Sequence, residues 1–234
     1  MGAIYRREMR SYFTTPVGYI FLAVFFFFSG FYFSRCCLYE NTSDLTEVFS
    51  SMFTICVFLI PLLTMRLLSE ERKNKTDQLA LTAPVSLLGL ALGKFLAALS
   101  IFATGLSVAL LYGLFFAYLG VANWSVIIGY MVGLLLLGAS LTAIGMYISS
   151  VTENQVVAAV GAISAGLLLI MADAAASMLQ SGMLRNLLNT ISFRSHYFRF
   201  TKGIISLEDA VFFVSVAALF VFATIRTFER RRWR

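Results

Sequence analysis

Charge is scarce in this chain. Asp, Glu, Lys and Arg make up 13% of its 234 residues, where a soluble domain carries about 25%. That shortfall excludes an ordinary water-exposed surface. Histidine is scarcer still: His196 is the single one. One histidine without neighbouring cysteines or paired carboxylates is not a metal-ligand set. Of the three cysteines, Cys36 and Cys37 are adjacent and Cys56 lies within an apolar run. Adjacent cysteines rarely bridge each other, so no disulfide framework is expected. No Ser–His–Asp set, HExxH pattern or carboxylate dyad falls at a useful location, so no catalytic residue is assigned. The nearest thing to a phosphate loop is Gly89-Leu-Ala-Leu-Gly93-Lys94-Phe95. It is one residue short between its glycines and has Phe where Ser or Thr would hold magnesium. There is no domain boundary, low-complexity stretch or clear internal repeat.

What is present is apolar. Hydrophobic residues make up 59% of the chain, 23 of them Phe. The reading is an all-α polytopic membrane protein forming a single domain over 1–234. A spanning helix needs about 20 apolar residues. Six stretches qualify: Val17–Phe33, Val48–Leu68, Phe95–Leu119, Val126–Ser149, Gln155–Leu179 and Ala210–Thr227. Lys94 would stand at the mouth of span three. Tyr5–Tyr12 precedes the first run, but no small-residue cleavage site follows, so the run reads as an anchor rather than a leader.

The segment RLLSEERKNKTDQLALTAP, Arg66 to Pro84, interrupts this pattern. Each charge at mid-membrane costs at least about 2.5–3.5 kcal/mol, so the segment must project into water between spans two and three. Its charges, Glu70, Glu71, Arg72 and Lys73, suit ion pairs at the rim of a protein contact. Leu79, Leu81 and Val85 would supply buried contacts, and Pro84 would end a helix. Of the 18 Lys and Arg, all but Arg35, Arg185, Arg194, Arg199 and Lys202 fall on the side of this segment and both termini. That asymmetry predicts both termini in the cytoplasm. Basic ends against anionic headgroups explain the net charge of +6 without nucleic acid. Residues 1–16 read as an interfacial helix. Ile4, Tyr5, Met9, Tyr12 and Phe13 form its apolar face, Arg6, Arg7 and Arg10 its polar one, and Pro16 breaks it before span one.

Three motifs carry a resemblance. IYRREMRSYFTTPVGYI is similar to an elbow helix entering span one. PLLTMRLLSEERKNKTDQLALTAPVSLLGLALGKF is similar to the end of span two, a coupling region and the start of span three. FRFTKGIISLEDAVFFVSVAALFVFATIRTFERRRW is similar to the tail of one subgroup. Together they resemble the ABC-2 type permeases, the membrane subunits of type V ABC exporters, and within them the gliding-motility and copper-site-maturation permeases. One departure is Lys75 before Thr76, where many relatives have glycine. The resemblance implies six spans in the inner membrane, a second permease copy or paralogue, and two ABC ATPase subunits that bind ATP and magnesium. It implies no cofactor on this chain. It places ATPase coupling in segment 69–88, on Glu70, Glu71, Arg72, Lys73, Thr76, Asp77, Leu79, Leu81, Thr82, Pro84 and Val85. A second reading is a mechanotransmission or assembly scaffold that passes ATPase motion to an extracytoplasmic partner without transport. A third is an unrelated six-span membrane enzyme, disfavoured by the missing catalytic residues.

Weaker features remain. Gly129 with Gly133, and Gly161 with Ala165, are small-residue pairs that let helices approach closely. Asp173 in span five is a candidate pathway residue, or an acid that reaches water at the outer end. Segment 180–209 is too poor in apolar residues to span. It reads as short interfacial or re-entrant helices on the outer side.

Overall fold

The computed structural model describes residues 2–76, 86–178, 190–201, 203 and 206–232. Side chains at 172, 173, 176–178 and 232 lie outside the description. Among the described residues there is helix and no strand. Helix α1 (Gly2–Thr14) turns into α2 (Pro16–Phe33), which runs on through a π-helical stretch, Ser34–Tyr39. Then come α3 (Thr46–Thr64), α4 (Arg66–Lys73), α5 (Leu87–Leu106), α6 (Val108–Tyr118) and α7 (Trp124–Val151). The remainder are α8 (Gln155–Met178), α9 (Phe193–Thr201) and α10 (Leu207–Arg232).

Local chemistry fixes the joints. Thr15 is extended (φ −99°, ψ 154°) and Pro16 takes the first helical position of α2, where its missing N–H costs nothing. Tyr12 of α1 rides directly on Gly18. A Cβ there would stand 2.6 Å from the Tyr12 carbonyl oxygen. Pro61 lies inside α3 and interrupts its hydrogen-bond ladder. The chain continues through Met65 into α4, so the first charges, Arg66 to Lys73, extend span two as helix instead of projecting as a loop. Ser86 caps α5, its hydroxyl accepting from the Gly89 N–H at 3.2 Å.

Helix α7 is the axis of the bundle, with α10, α3, α9, α5, α8 and α4 packed around it. Its small residues receive their neighbours. Gly138 lies against the Phe102 ring, Gly145 against the Thr64 hydroxyl, and Gly133 so close to Phe200 that a Cβ would meet it at 2.7 Å. The Gly129–Gly133 pair is thus spent within the chain. Outward faces of α2 and α10, such as Phe27, Phe31, Val211 and Phe222, are exposed and apolar, as lipid-facing surfaces are.

Among the described residues five helices are long and apolar enough to cross a membrane: Pro16–Tyr39, Thr46–Lys73, Leu87–Tyr118, Trp124–Val151 and Leu207–Arg231. The expected fifth span appears as a shorter apolar stretch, Gln155–Met171. Span three begins at Leu87, not Phe95, because the Ser86 cap starts the helix two turns earlier. Lys94 is consequently inside the bundle, 1% exposed, and not at its mouth. Helix α1 forms as expected, with Ile4, Tyr5 and Met9 against the core. Phe13 departs from the expected apolar face: it is exposed and meets Tyr19 edge-on.

Candidate functional site: a charge network at the α1–α4–α5 junction

A buried lysine must satisfy three N–H groups or forfeit several kcal/mol. Lys94 does so across three helices. Its Nζ donates to Glu8 Oε1 on α1 at 3.1 Å and to the Leu67 carbonyl on α4 at 2.9 Å. It also pairs with Glu71 Oε1 on α4 at 2.9 Å. Arg7 closes the circuit, its Nη2 reaching Glu8 Oε1 at 2.9 Å and Glu71 Oε1 at 2.6 Å. Two cations and two carboxylates therefore alternate around the junction. The hydrogen bond to Glu8, helped by the Glu71 charge and opposed by burial, holds the Arg7 guanidinium above its ordinary pKa.

Tyr12 closes the floor of this junction. Its hydroxyl donates to the Leu63 carbonyl at 3.2 Å, and burial pushes the phenol well above its usual range. Above it opens a cleft of about 280 Å³, lined among others by Arg7, Glu8, Arg66, Glu71 and Thr76. Arg66 Nε donates to Glu70 Oε2 at 2.6 Å along α4.

The far side of α4 is tied to the end of α7. The Ser149 hydroxyl donates to the Met65 carbonyl at 3.0 Å and accepts from the Leu68 and Ser69 N–H groups at 3.2 and 3.1 Å. It satisfies backbone groups at the α3–α4 joint. Arg72 pairs with Glu153 at 3.0 Å and donates to the Val151 carbonyl. Arg231 of α10 donates to the Ser150 carbonyl. Two guanidinium groups thus cap the negative end of α7. Helix α1, the C-terminal turns of α10 and α4 therefore lie at one end of the bundle.

Helix α4 ends in a tight turn. Lys75 adopts φ +55°, the Lys75 N–H bonds the Arg72 carbonyl at 3.1 Å, and the Thr76 N–H bonds the Glu71 carbonyl at 2.9 Å. This is a Schellman-type ending with lysine at the left-handed position that glycine favours. It accounts for the glycine that the resemblance leads one to expect there.

The expected coupling residues thus divide. Glu70, Glu71 and Arg72 are engaged within the subunit. Lys73 is exposed at the end of α4, and Thr76 donates its hydroxyl to the Glu71 carbonyl at 3.2 Å. Asp77, Leu79, Leu81, Thr82, Pro84 and Val85 lie outside the described residues. Arg6 and Arg10 are exposed on α1 beside Arg7. Asp173 lies in α8, its side chain outside the description. Glu8 went unmarked in the sequence, and Lys94 was marked only by position. The available signal was a lone lysine inside an apolar run, which demands acidic partners. Among the described residues no group of three or more His, Cys, Asp or Glu is placed to hold a metal.

An all-helical bundle with several membrane-length helices, charged at one end and apolar on its outward faces, is a multi-pass membrane protein. Residues 3–233 match the family described as ABC-2 family transporter protein, and the chain belongs to that family. It is accordingly the membrane subunit of an ABC transporter, not itself catalytic, with an ABC ATPase as the implied partner. The match carries the family and not the narrower gliding-motility or copper-site subgroup. No curated protein matches the chain significantly.

Proposed function

We propose that this chain is one permease of an ATP-driven exporter of the inner membrane, working with a second copy or paralogue and two ATPase subunits. ATP and magnesium are bound by those partners. Helix α8 supplies the sixth crossing: its 24 residues rise about 36 Å, more than the roughly 30 Å hydrocarbon core. The Lys and Arg asymmetry puts both termini and α4 in the cytoplasm. Helix α1 serves as the elbow. The coupling surface runs from the end of α4 through Leu79, Leu81 and Val85.

The observation that carries this reading is the Lys94 junction. A displacement received after Thr76 reaches α4 first. Glu71, fixed to Lys94 and Arg7, passes it to α5 and α1. Ser149 and Arg72 pass it to α7. Closure of the ATPases on ATP would in this way shift several spans together and open a route outward between the two permeases.

Co-purification of the ATPase tests the surface. Leu79→Ala with Leu81→Ala should reduce it strongly, since a buried contact is worth roughly 2 kcal/mol or more. Lys73→Ala should change it little, a rim charge being worth about 0–1 kcal/mol. Undiminished binding by the double leucine variant would move the coupling surface elsewhere.

A further inference from the structure

The end of the bundle opposite the termini carries a second polar cluster, independent of the first. Helix α9 lies there, packed against α3, α7, α8 and α10. The Tyr197 hydroxyl donates to the Phe49 carbonyl of α3 at 2.9 Å. Phe200 is fully buried over Gly133 of α7. Phe193 packs edge-on against Phe212 and Phe213 of α10. Two polar links join α9 to α10, His196 and Arg199, both reaching Asp209.

Both ring nitrogens of His196 face acceptors. Nδ1 lies 2.5 Å from Asp209 Oδ1, and Nε2 lies 3.1 Å from the Thr190 carbonyl oxygen. A neutral imidazole carries one N–H. It can satisfy either acceptor and must then turn a lone pair on the other. The imidazolium donates to both. The ring also stacks on Phe212, centroids 4.2 Å apart at 18°, an aromatic face that favours a cation.

The surrounding charges are few. From α10 come Asp209, 0% exposed, and Glu208, which is exposed. From α9 itself comes Arg199, whose Nη2 donates to Asp209 Oδ1 and stands 3.0 Å from His196 Nδ1. Among the described residues α3, α7 and α8 set no charged side chain against the imidazole; the Asp173 side chain of α8 lies outside the description. Asp209 Oδ2 is buried without a hydrogen-bond partner among the described residues. One carboxylate oxygen thus receives both cationic groups.

We infer that His196, Asp209 and the Thr190 carbonyl form a proton-binding latch. With the proton bound, His196 ties α9 to α10 and to the chain entering α9. With it lost, one of the two contacts turns repulsive, and the grip on α9 weakens to one imidazole contact and the Arg199–Asp209 pair. Only the side of the membrane that sets this pH rests on the proposed orientation.

Hydrogen exchange of the full chain in lipid nanodiscs tests this, with an affinity tag free of histidine. Exchange in α9, corrected for the intrinsic effect of pH, should be about tenfold more protected near pH 5.5 than near pH 8, the equivalent of one charge-assisted hydrogen bond. His196→Gln should abolish the difference, leaving protection in α3 and α7 unchanged. Asp209→Asn, which keeps the shape of the side chain, should abolish it as well. Equal protection at both pH values in the wild type, or the same pH difference in His196→Gln, overturns the inference. Exchange reads the latch from either side of the membrane, so an inverted orientation would leave this result intact and appear only in labelling from outside the cell.

Discussion

Replacing Lys94 by methionine keeps most of the apolar stem of the side chain and removes its charge. Breaking a buried ion pair from one side costs about 3–5 kcal/mol, because the partner is left uncompensated. Here Arg7 still contacts both carboxylates, at 2.9 and 2.6 Å, and its side chain is 60% exposed, so part of the charge stays neutralised in water. The Leu67 carbonyl loses its lysine donor. The lower end, about 3 kcal/mol, is therefore expected. For a chain of this size that corresponds to a fall in Tm of roughly 6–12 °C. Arg66→Ala, which removes the partly exposed pair with Glu70, should cost about 0–1 kcal/mol. Thermal unfolding in nanodiscs separates the two. A cycle with Glu71→Gln gives a sharper reading: the second substitution should cost about 1–2 kcal/mol less once Lys94 is gone. A Lys94→Met variant that melts with the wild type, or additive costs in the cycle, would refute the idea that these charges hold the junction.

Other outcomes follow from the same geometry. Lys75→Gly should raise stability by about 1 kcal/mol, because glycine occupies a left-handed position without the Cβ penalty; Lys75→Val should lower it, and thermal unfolding reads both. Gly138→Val should cost about 1–3 kcal/mol or more, since its side chain would enter the Phe102 ring; detergent-resistant folding and Tm report this. In a variant lacking native cysteines, Asn74→Cys should resist an impermeant thiol reagent in whole cells, while Asn41→Cys reacts. Reaction of Asn74→Cys from outside would reverse the orientation.

Patterns within about twenty residues were legible in the sequence. Pro16 at a helix start, the Ile4–Tyr5–Met9 face and the apolar runs all follow from local periodicity. The helical ends were misplaced where a single atom decides them. The Ser86 hydroxyl starts α5 before Phe95, and that shift carries Lys94 from the rim into the interior. The partners of Lys94 were not legible, because Glu8 and Glu71 lie on other helices and no spacing rule joins three separate segments. The charges Glu70 to Arg72 read as a rim awaiting a partner because sequence cannot show that a carboxylate is already engaged. Lys75 was conspicuous as a departure from glycine, and its φ of +55° gives that departure a physical meaning. His196 looked inert on its own, since Asp209 reaches it through the fold of α9 against α10.

The Lys94 junction also has a direction in time. Synthesis delivers the N-terminal residues first, so Glu8 and Glu71 reach the membrane surface before Lys94 leaves the ribosome. Both acids can wait in water at the ends of their helices. Lys94 cannot wait as easily, since it lies within the apolar run of α5 and is 1% exposed. The order of the chain places the acceptors ahead of the donor that needs them. In the folded chain α5 is seated with its lysine on the carboxylates of two segments that precede it.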